Sequence, residues 1–138
     1  MLMEILTFLK LYGIAIASLV GIDSIWLAKI APALYKKNLG HLMAEKPNLI
    51  AAGLFYAIYI FGAVYFVIYP AFLDKSVSQA LMRGALLGFV AYATFDLTGQ
   101  AVFKNWPTKI TVIDLIWGTV LTASVCALSV FLAIKLVK

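Results

Sequence analysis

Three aspartates sit where carboxyl groups are costly. Asp23, Asp96 and Asp114 lie inside or at the edge of long apolar runs, and the other acids are Glu4, Glu45 and Asp74. An ionised Asp at the centre of a membrane-spanning helix costs about 2.5–3.5 kcal/mol on insertion scales, and less towards the interface. Such groups must be paired, protonated or wetted by a cavity. Two readings stay open. The carboxyls lock helices through hydrogen bonds, or they line a pocket for a cation, a proton or a polar headgroup. Two of them share a local pattern, since Ile22-Asp23-Ser24-Ile25-Trp26 and Ile113-Asp114-Leu115-Ile116-Trp117 both read Ile-Asp-x-Ile-Trp. Asp and Trp three residues apart share one helical face.

The elements that must position these groups follow from composition. Of 138 residues 64% are apolar and 12% charged, and the mean hydropathy is +1.03. Soluble domains are roughly half apolar and a quarter charged, so a water-soluble enzyme is excluded. Four apolar segments are long enough to cross a bilayer: about Ile5–Ile30, Leu49–Phe72, Gln79–Phe103, and Ile110 to the C-terminus. The expected fold is all-α and polytopic, one four-helix transmembrane domain over residues 1–138. The N-terminal run has no positively charged start and no clear cleavage site, so it reads as a retained first helix. The connection from Ala31 to Asn48 places Leu34, Tyr35, Leu39, Leu42 and Met43 on one face. It predicts a short interfacial amphipathic helix between helices 1 and 2, weakened at Gly40. Asp74-Lys75-Ser76 and Pro107-Thr108-Lys109 make the other turns.

Four crossings put both termini and the Asp74 turn on one side, A, and the other two connections on side B. Lys10, Lys75, Arg83, Lys135 and Lys138 then belong to A, and Lys29, Lys36, Lys37, Lys46, Lys104 and Lys109 to B. That near-tie gives no orientation by the positive-inside rule. All three tryptophans, Trp26, Trp106 and Trp117, belong near side B. Antiparallel threading also brings Asp23, Asp96 and Asp114 to one depth, about 8–12 Å inside that boundary at 1.5 Å per residue.

The candidate pocket at this level comprises Asp23, Trp26, Asn48, Tyr56, Asp96, Gln100, Asp114 and Trp117. Lys29, Lys104, Lys109 and His41 are its candidate cations, and Tyr56, Asn48, Thr94, Thr98 and Gln100 its candidate hydrogen-bond donors. Tyr56, Tyr59, Ala63 and Phe66 are candidate wall residues. Helix 3 carries Gly84, Gly88, Tyr92, Asp96 and Gln100 at four-residue steps, and helix 4 carries Asp114, Gly118 and Thr122, continued by Cys126 or Ser129. Helix 1 offers Gly13, Ala17, Gly21 and Ser24. These small and polar rows predict a tight core near side A that widens to a polar chamber near side B.

Other chemistries find no support. The single cysteine, Cys126, excludes an intrachain disulfide and a paired-cysteine redox centre. There is no Ser–His–Asp order, no glycine-rich phosphate loop, no recognised metal-ligand spacing and no basic nucleic-acid patch. The net charge of +5 fits loops at lipid headgroups. No metal, cofactor or nucleic-acid partner is expected. Membrane lipids, a small amphipathic ligand and a homo-oligomer are the partners expected.

The set Asp23-x-x-Trp26, Tyr35, Leu39-Gly40-His41-Leu42, Lys46-Pro47-Asn48, Phe95-Asp96-Leu97-Thr98, Asn105-Trp106-Pro107 and Asp114-x-x-Trp117-Gly118 is distinctive. It resembles, over nearly the whole chain, a family of small four-helix bacterial membrane proteins classed as a domain of unknown function. That family leads one to expect Tyr-Asp-Leu-Thr-Asn where this chain has Phe95-Asp96-Leu97-Thr98-Gly99. The resemblance implies a multi-pass protein of the bacterial inner membrane and supplies no reaction. Length and helix count are also similar to those of small multidrug transporters, which carry a membrane-embedded Glu in the first helix where this chain has the late Asp23. Three functions stay open: a pocket that binds or transports a cation or lipid-like ligand, an intramembrane lipid- or isoprenoid-modifying enzyme using an Asp as general acid/base, and a structural or accessory subunit. The termini are expected in the cytoplasm.

Overall fold

The computed structural model describes residues 1–137. Lys138, assigned above to side A, lies outside the described residues. The chain forms α1 (Leu2–Ile25), α2 (Ala31–Leu39), α3 (Leu49–Ala63), α4 (Tyr69–Leu73), α5 (Val77–Val102) and α6 (Thr108–Leu136). A π-helical turn, Trp26–Ile30, runs α1 into α2, and a second, Val64–Ile68, runs α3 into α4. The result is four helices long and apolar enough to cross a membrane: Leu2–Leu39, Leu49–Leu73, Val77–Val102 and Thr108–Leu136. Among the described residues there is no strand.

Both π turns sit just ahead of a proline, Pro32 or Pro70, at the start of the next α-helical stretch. Proline offers no N–H and clashes with the carbonyl four residues back. A widened turn takes up that defect and lets the helix continue. The first helix therefore does not stop before Pro32. Residues 31–39 do not form a separate interfacial helix but are the last nine residues of a 38-residue one. Their apolar face is nonetheless real, since Leu34, Tyr35 and Leu39 are half-buried while Lys36 and Lys37 are exposed.

Turn chemistry fixes the other ends. The Asn48 side chain accepts from the backbone N–H groups of Ile50 and Ala51, both at 3.1 Å, and so caps α3. Ser76 caps α5 by accepting from the Gln79 N–H at 3.2 Å. Lys75 and Asn105 take positive φ, 50° and 60°, where the chain reverses before and after α5.

Outward faces carry the apolar belt a bilayer requires, including Ile58, Phe66, Leu86 and Ile116, each at least 60% exposed. α6 is the central helix, with about twice the buried share of any other span. α5 packs along it more extensively than any other pair of elements pack together. The reason is small residues: a Cβ on Gly84 would stand 2.9 Å from the Thr122 carbonyl oxygen, one on Gly88 would strike the Gly118 carbonyl and Thr122, and one on Gly118 would strike the Tyr92 ring. Gly84, Gly88, Asp96, Asp114, Gly118, Thr122, Cys126 and Ser129 are all buried, as the four-residue rows on these two helices predict.

The row expected on the first helix faces the wrong way. Gly13, Ala17, Gly21 and Ser24 are exposed, and a Cβ on Gly13 or Gly21 would meet nothing within 4 Å. The face that packs is Leu11, Ala15, Leu19, Asp23 and Trp26. Asp23 sets it: two residues turn a helix by about 200°, so Gly21 and Asp23 cannot both point inward. This contrast is measurable. Gly88→Ala is expected to lower the thermal midpoint in detergent, by the equivalent of about 1–3 kcal/mol of overpacking. Gly21→Ala should leave it unchanged or slightly raised.

Candidate functional site

The three aspartates are buried at one end of the bundle, Asp23 with 6%, Asp96 with 0% and Asp114 with 4% exposure. They do not form one cluster. Among the described residues no three His, Cys, Asp or Glu side chains converge on a common point. Asp96 of α5 lies beside Asp114 of α6. Asp23 of α1 stands apart.

A tryptophan pair divides them. The two Ile-Asp-x-Ile-Trp segments run antiparallel on α1 and α6, and Trp26 stacks on Trp117 with centroids 4.4 Å apart and planes at 10°. Offset stacking of this kind adds about 0.5–1.5 kcal/mol beyond area burial. The indole N–H of Trp117 lies beside Asp23, and that of Trp26 lies beside the Tyr35 hydroxyl. The hydroxyls complete the pattern. Tyr56 donates to Asp23 Oδ2 at 2.9 Å, and Tyr35 donates to Asp114 Oδ1 at 2.5 Å. Each aspartate of the repeated motif thus has one tyrosine donor, from α3 in one case and α2 in the other.

Two cavities open on this arrangement. One, of about 390 Å³, lies between α1 and α3 and includes Asp23, Tyr56, Tyr12, Leu19, Gly53 and Ala57 in its lining. The other, of about 480 Å³, is bounded by Tyr35, Leu39, Met43, Phe55, Tyr92 and Phe95, with Asp96 and Asp114 among its walls. No hydroxyl, amide or basic group donates to either carboxylate oxygen of Asp96, and the one polar side chain beside it is the Asp114 carboxyl, with which it can share a proton. Ser18, Gln79 and Ser129 each also bury one oxygen without a partner, but among the described residues Asp96 is the only carboxyl in that state, and a carboxyl is the most costly of these groups to leave so.

Several expected members are elsewhere. Asn48 is exposed and committed to capping α3. Gln100 does share the Asp96 face, one turn nearer the α5–α6 turn, where Thr108 and Thr111 take it. Its Nε2 donates to Thr108 at 3.0 Å and its Oε1 accepts from Thr111 at 2.8 Å. Trp106 donates to Thr111 at 3.0 Å and joins that network. Its ring covers Gly99, where a Cβ would stand 2.9 Å away. Glycine at this place, rather than the Asn the family resemblance suggests, is what lets the indole lie flat on α5.

Thr94 donates to the Val90 carbonyl at 2.7 Å, and Thr98 is exposed. Of the wall residues, Tyr56 faces Asp23, Tyr59 pairs with Thr122 and Ala63 is core, whereas Phe66 is 64% exposed and points outward. Lys29, His41, Lys104 and Lys109 are exposed and reach no aspartate. Among the described residues the sole ion pair joins the Met1 ammonium to Glu4 at 3.3 Å. Phe55 and Phe95 line the second cavity without having been singled out by spacing, and Tyr92 and Tyr35, expected on the inward row of α5 and on the apolar face of residues 31–39, were not assigned to the aspartate level. For Tyr35 a signal existed, since it lies on the apolar face of residues 31–39 and a buried phenol needs a partner.

Over residues 8–131 the chain matches a family described as "Predicted membrane protein (DUF2177)". The chain belongs to that family. No curated protein and no solved structure matches it. Family membership and the four apolar helices together establish a multi-pass membrane protein, and the residues above carry what more can be read.

Removing either tyrosine hydroxyl deprives a buried carboxyl of a donor. Tyr35→Phe and Tyr56→Phe should each cost about 1–3 kcal/mol, read as a lower midpoint of unfolding in detergent. Tyr56→Phe combined with Asp23→Leu should cost less than the two single changes added together, because the stranded group is then gone. Strict additivity would show that the two side chains do not interact.

Proposed function

We propose that this protein binds an amphipathic cation, an ammonium group carrying an apolar tail, in the pocket between Asp96, Asp114 and the surrounding aromatic rings. The single observation that supports the reading is Asp96, fully buried at the wall of a cavity of about 480 Å³, with no hydroxyl, amide or basic group donating to it and a second carboxyl, Asp114, beside it. A buried carboxyl in that state calls for a cation or a proton. The remaining walls favour an organic cation. Tyr35, Tyr92, Phe55 and Phe95 offer ring faces, and ammonium groups gain about 0.5–2 kcal/mol over such faces, most when desolvated. Leu39 and Met43 supply apolar surface for the tail.

The test is equilibrium dialysis of the purified protein, in a nonionic detergent, against benzyltrimethylammonium and its uncharged carbon isostere neopentylbenzene. Specific binding of the cation and not of the isostere is expected. Asp96→Asn should weaken binding at this pocket tenfold or more. Its midpoint of unfolding should be unchanged or raised, because the new amide can donate to Asp114. Equal uptake of both compounds would sink the proposal. So would an Asp96→Asn protein that unfolds readily yet binds as the wild type does, an outcome pointing to a purely structural carboxyl.

The same reading has the protein in a bacterial inner membrane with both termini in the cytoplasm, so that the pocket end of the bundle faces the periplasm. A C-terminal fusion to a reporter that works only in the cytoplasm should be active. A reporter that works only outside the cytoplasm should be silent, and the reverse result would overturn the orientation.

A further inference from the structure

We infer that the groove between α1 and α3 is a second site for the same class of ligand, with Asp23 as counter-ion to the ammonium group and the groove as the seat of the tail. It shares the ammonium chemistry of the preceding reading but none of its residues.

The inference stands on geometry. The Trp26–Trp117 stack joins two copies of one motif that run in opposite directions on the first and last helices. On each side of the stack lies a buried aspartate, a tyrosine hydroxyl donating to it, and a cavity that this pair helps to line. The relation is not strict. Trp117 lies beside Asp23 itself, whereas Trp26 lies beside Tyr35, the donor to Asp114.

Charge complementarity names the occupant. Asp23 is 6% exposed, accepts from Tyr56, and has no cationic partner among the described residues. The surface leading away from it is apolar: Ile16, Leu19, Val20 and Leu27 on one helix, Ala57 and Ile60 on the other. An uncharged lipid tail would satisfy that surface and leave the carboxylate, bonded only to neutral donors, without a counter-ion. A small hydrated ion would answer the carboxyl and waste the groove. An ammonium with an apolar tail meets both demands. Entry is sideways from the bilayer, because Ile16, Val20 and Leu27 line the groove and are also 41%, 60% and 48% exposed on the lipid-facing surface. Gly53 lines the groove, and a Cβ there would meet nothing within 4 Å, so a larger side chain can be placed there without a clash.

Stoichiometry tests this. In the dialysis experiment the wild type should bind two benzyltrimethylammonium ions per chain. Asp23→Asn should leave one, and Gly53→Leu, which fills the groove without touching a carboxyl, should also leave one. Asp96→Asn should leave one, and that remaining site should vanish on adding Gly53→Leu. One ion per chain, lost in Asp96→Asn and unaffected by Asp23→Asn and Gly53→Leu, would overturn the second site and leave the first pocket standing. One ion lost in Asp23→Asn and kept in Asp96→Asn would do the opposite. A loss in Asp23→Asn with none in Gly53→Leu would overturn the groove as the seat. Absence of binding at any concentration that preserves the fold would overturn both sites.

Discussion

Burying three carboxyl groups in membrane-spanning helices with no basic side chain beside them is the constraint that organises this bundle. The hydrocarbon interior of a bilayer solvates charge poorly, and an unmatched carboxylate there costs more than any single packing contact returns. The chain answers twice with tyrosine. Tyr56 and Tyr35 each place a hydroxyl on an aspartate, and each comes from an element that otherwise touches the partner helix little. Tyr35 reaches Asp114 only because the first helix runs past Pro32, which it can do only because the turn Trp26–Ile30 is widened. A local backbone defect thereby supplies a donor to a carboxyl 79 residues away in sequence. Asp96 receives no tyrosine, and the polar side chain beside it is the carboxyl of Asp114.

What could be read from the sequence followed from periodicity and threading. Four spans, the common level of the aspartates, and the inward stripe from Gly84 to Asp96 all depend on spacing along a single helix or on alternating direction, and all are present. What could not be read depended on competition between partners. Asn48 and Gln100 have the right chemistry and the right level for the aspartates, yet nearer groups claim them first: the free N–H groups at the start of α3, and two threonines at the start of α6. Spacing reports that a donor is available but not which acceptor wins.

The errors on the first helix had a different origin. The apolar run bounds the first helix at about Ile30, two residues ahead of Pro32, yet the helix continues because one turn widens to π geometry. The small row Gly13, Ala17, Gly21 and Ser24 was expected to pack, but small residues permit close approach without requiring it. Asp23 requires burial, and by helical phase it sends that row outward. Where a permissive signal and a costly one disagree on one helix, the costly one decides the face.

The two cavities also differ in how firmly their walls are held. α5 and α6 meet through glycines that leave no room for a Cβ, and their turn is tied by the Gln100, Thr108, Thr111 and Trp106 network. The distance between Asp96 and Asp114 is therefore set by backbone contact and cannot relax when a charge arrives. A site held in this way loses little on binding and favours one headgroup geometry. α1 and α3 meet sparingly, through the Tyr12 hydroxyl on the Ala57 carbonyl at 3.0 Å and the Phe8–Phe61 rings 5.4 Å apart. The groove beside Asp23 can widen or narrow around what enters it. On the proposed reading, the α5–α6 pocket is the one that discriminates between headgroups, and the α1–α3 groove the one that tolerates different tails.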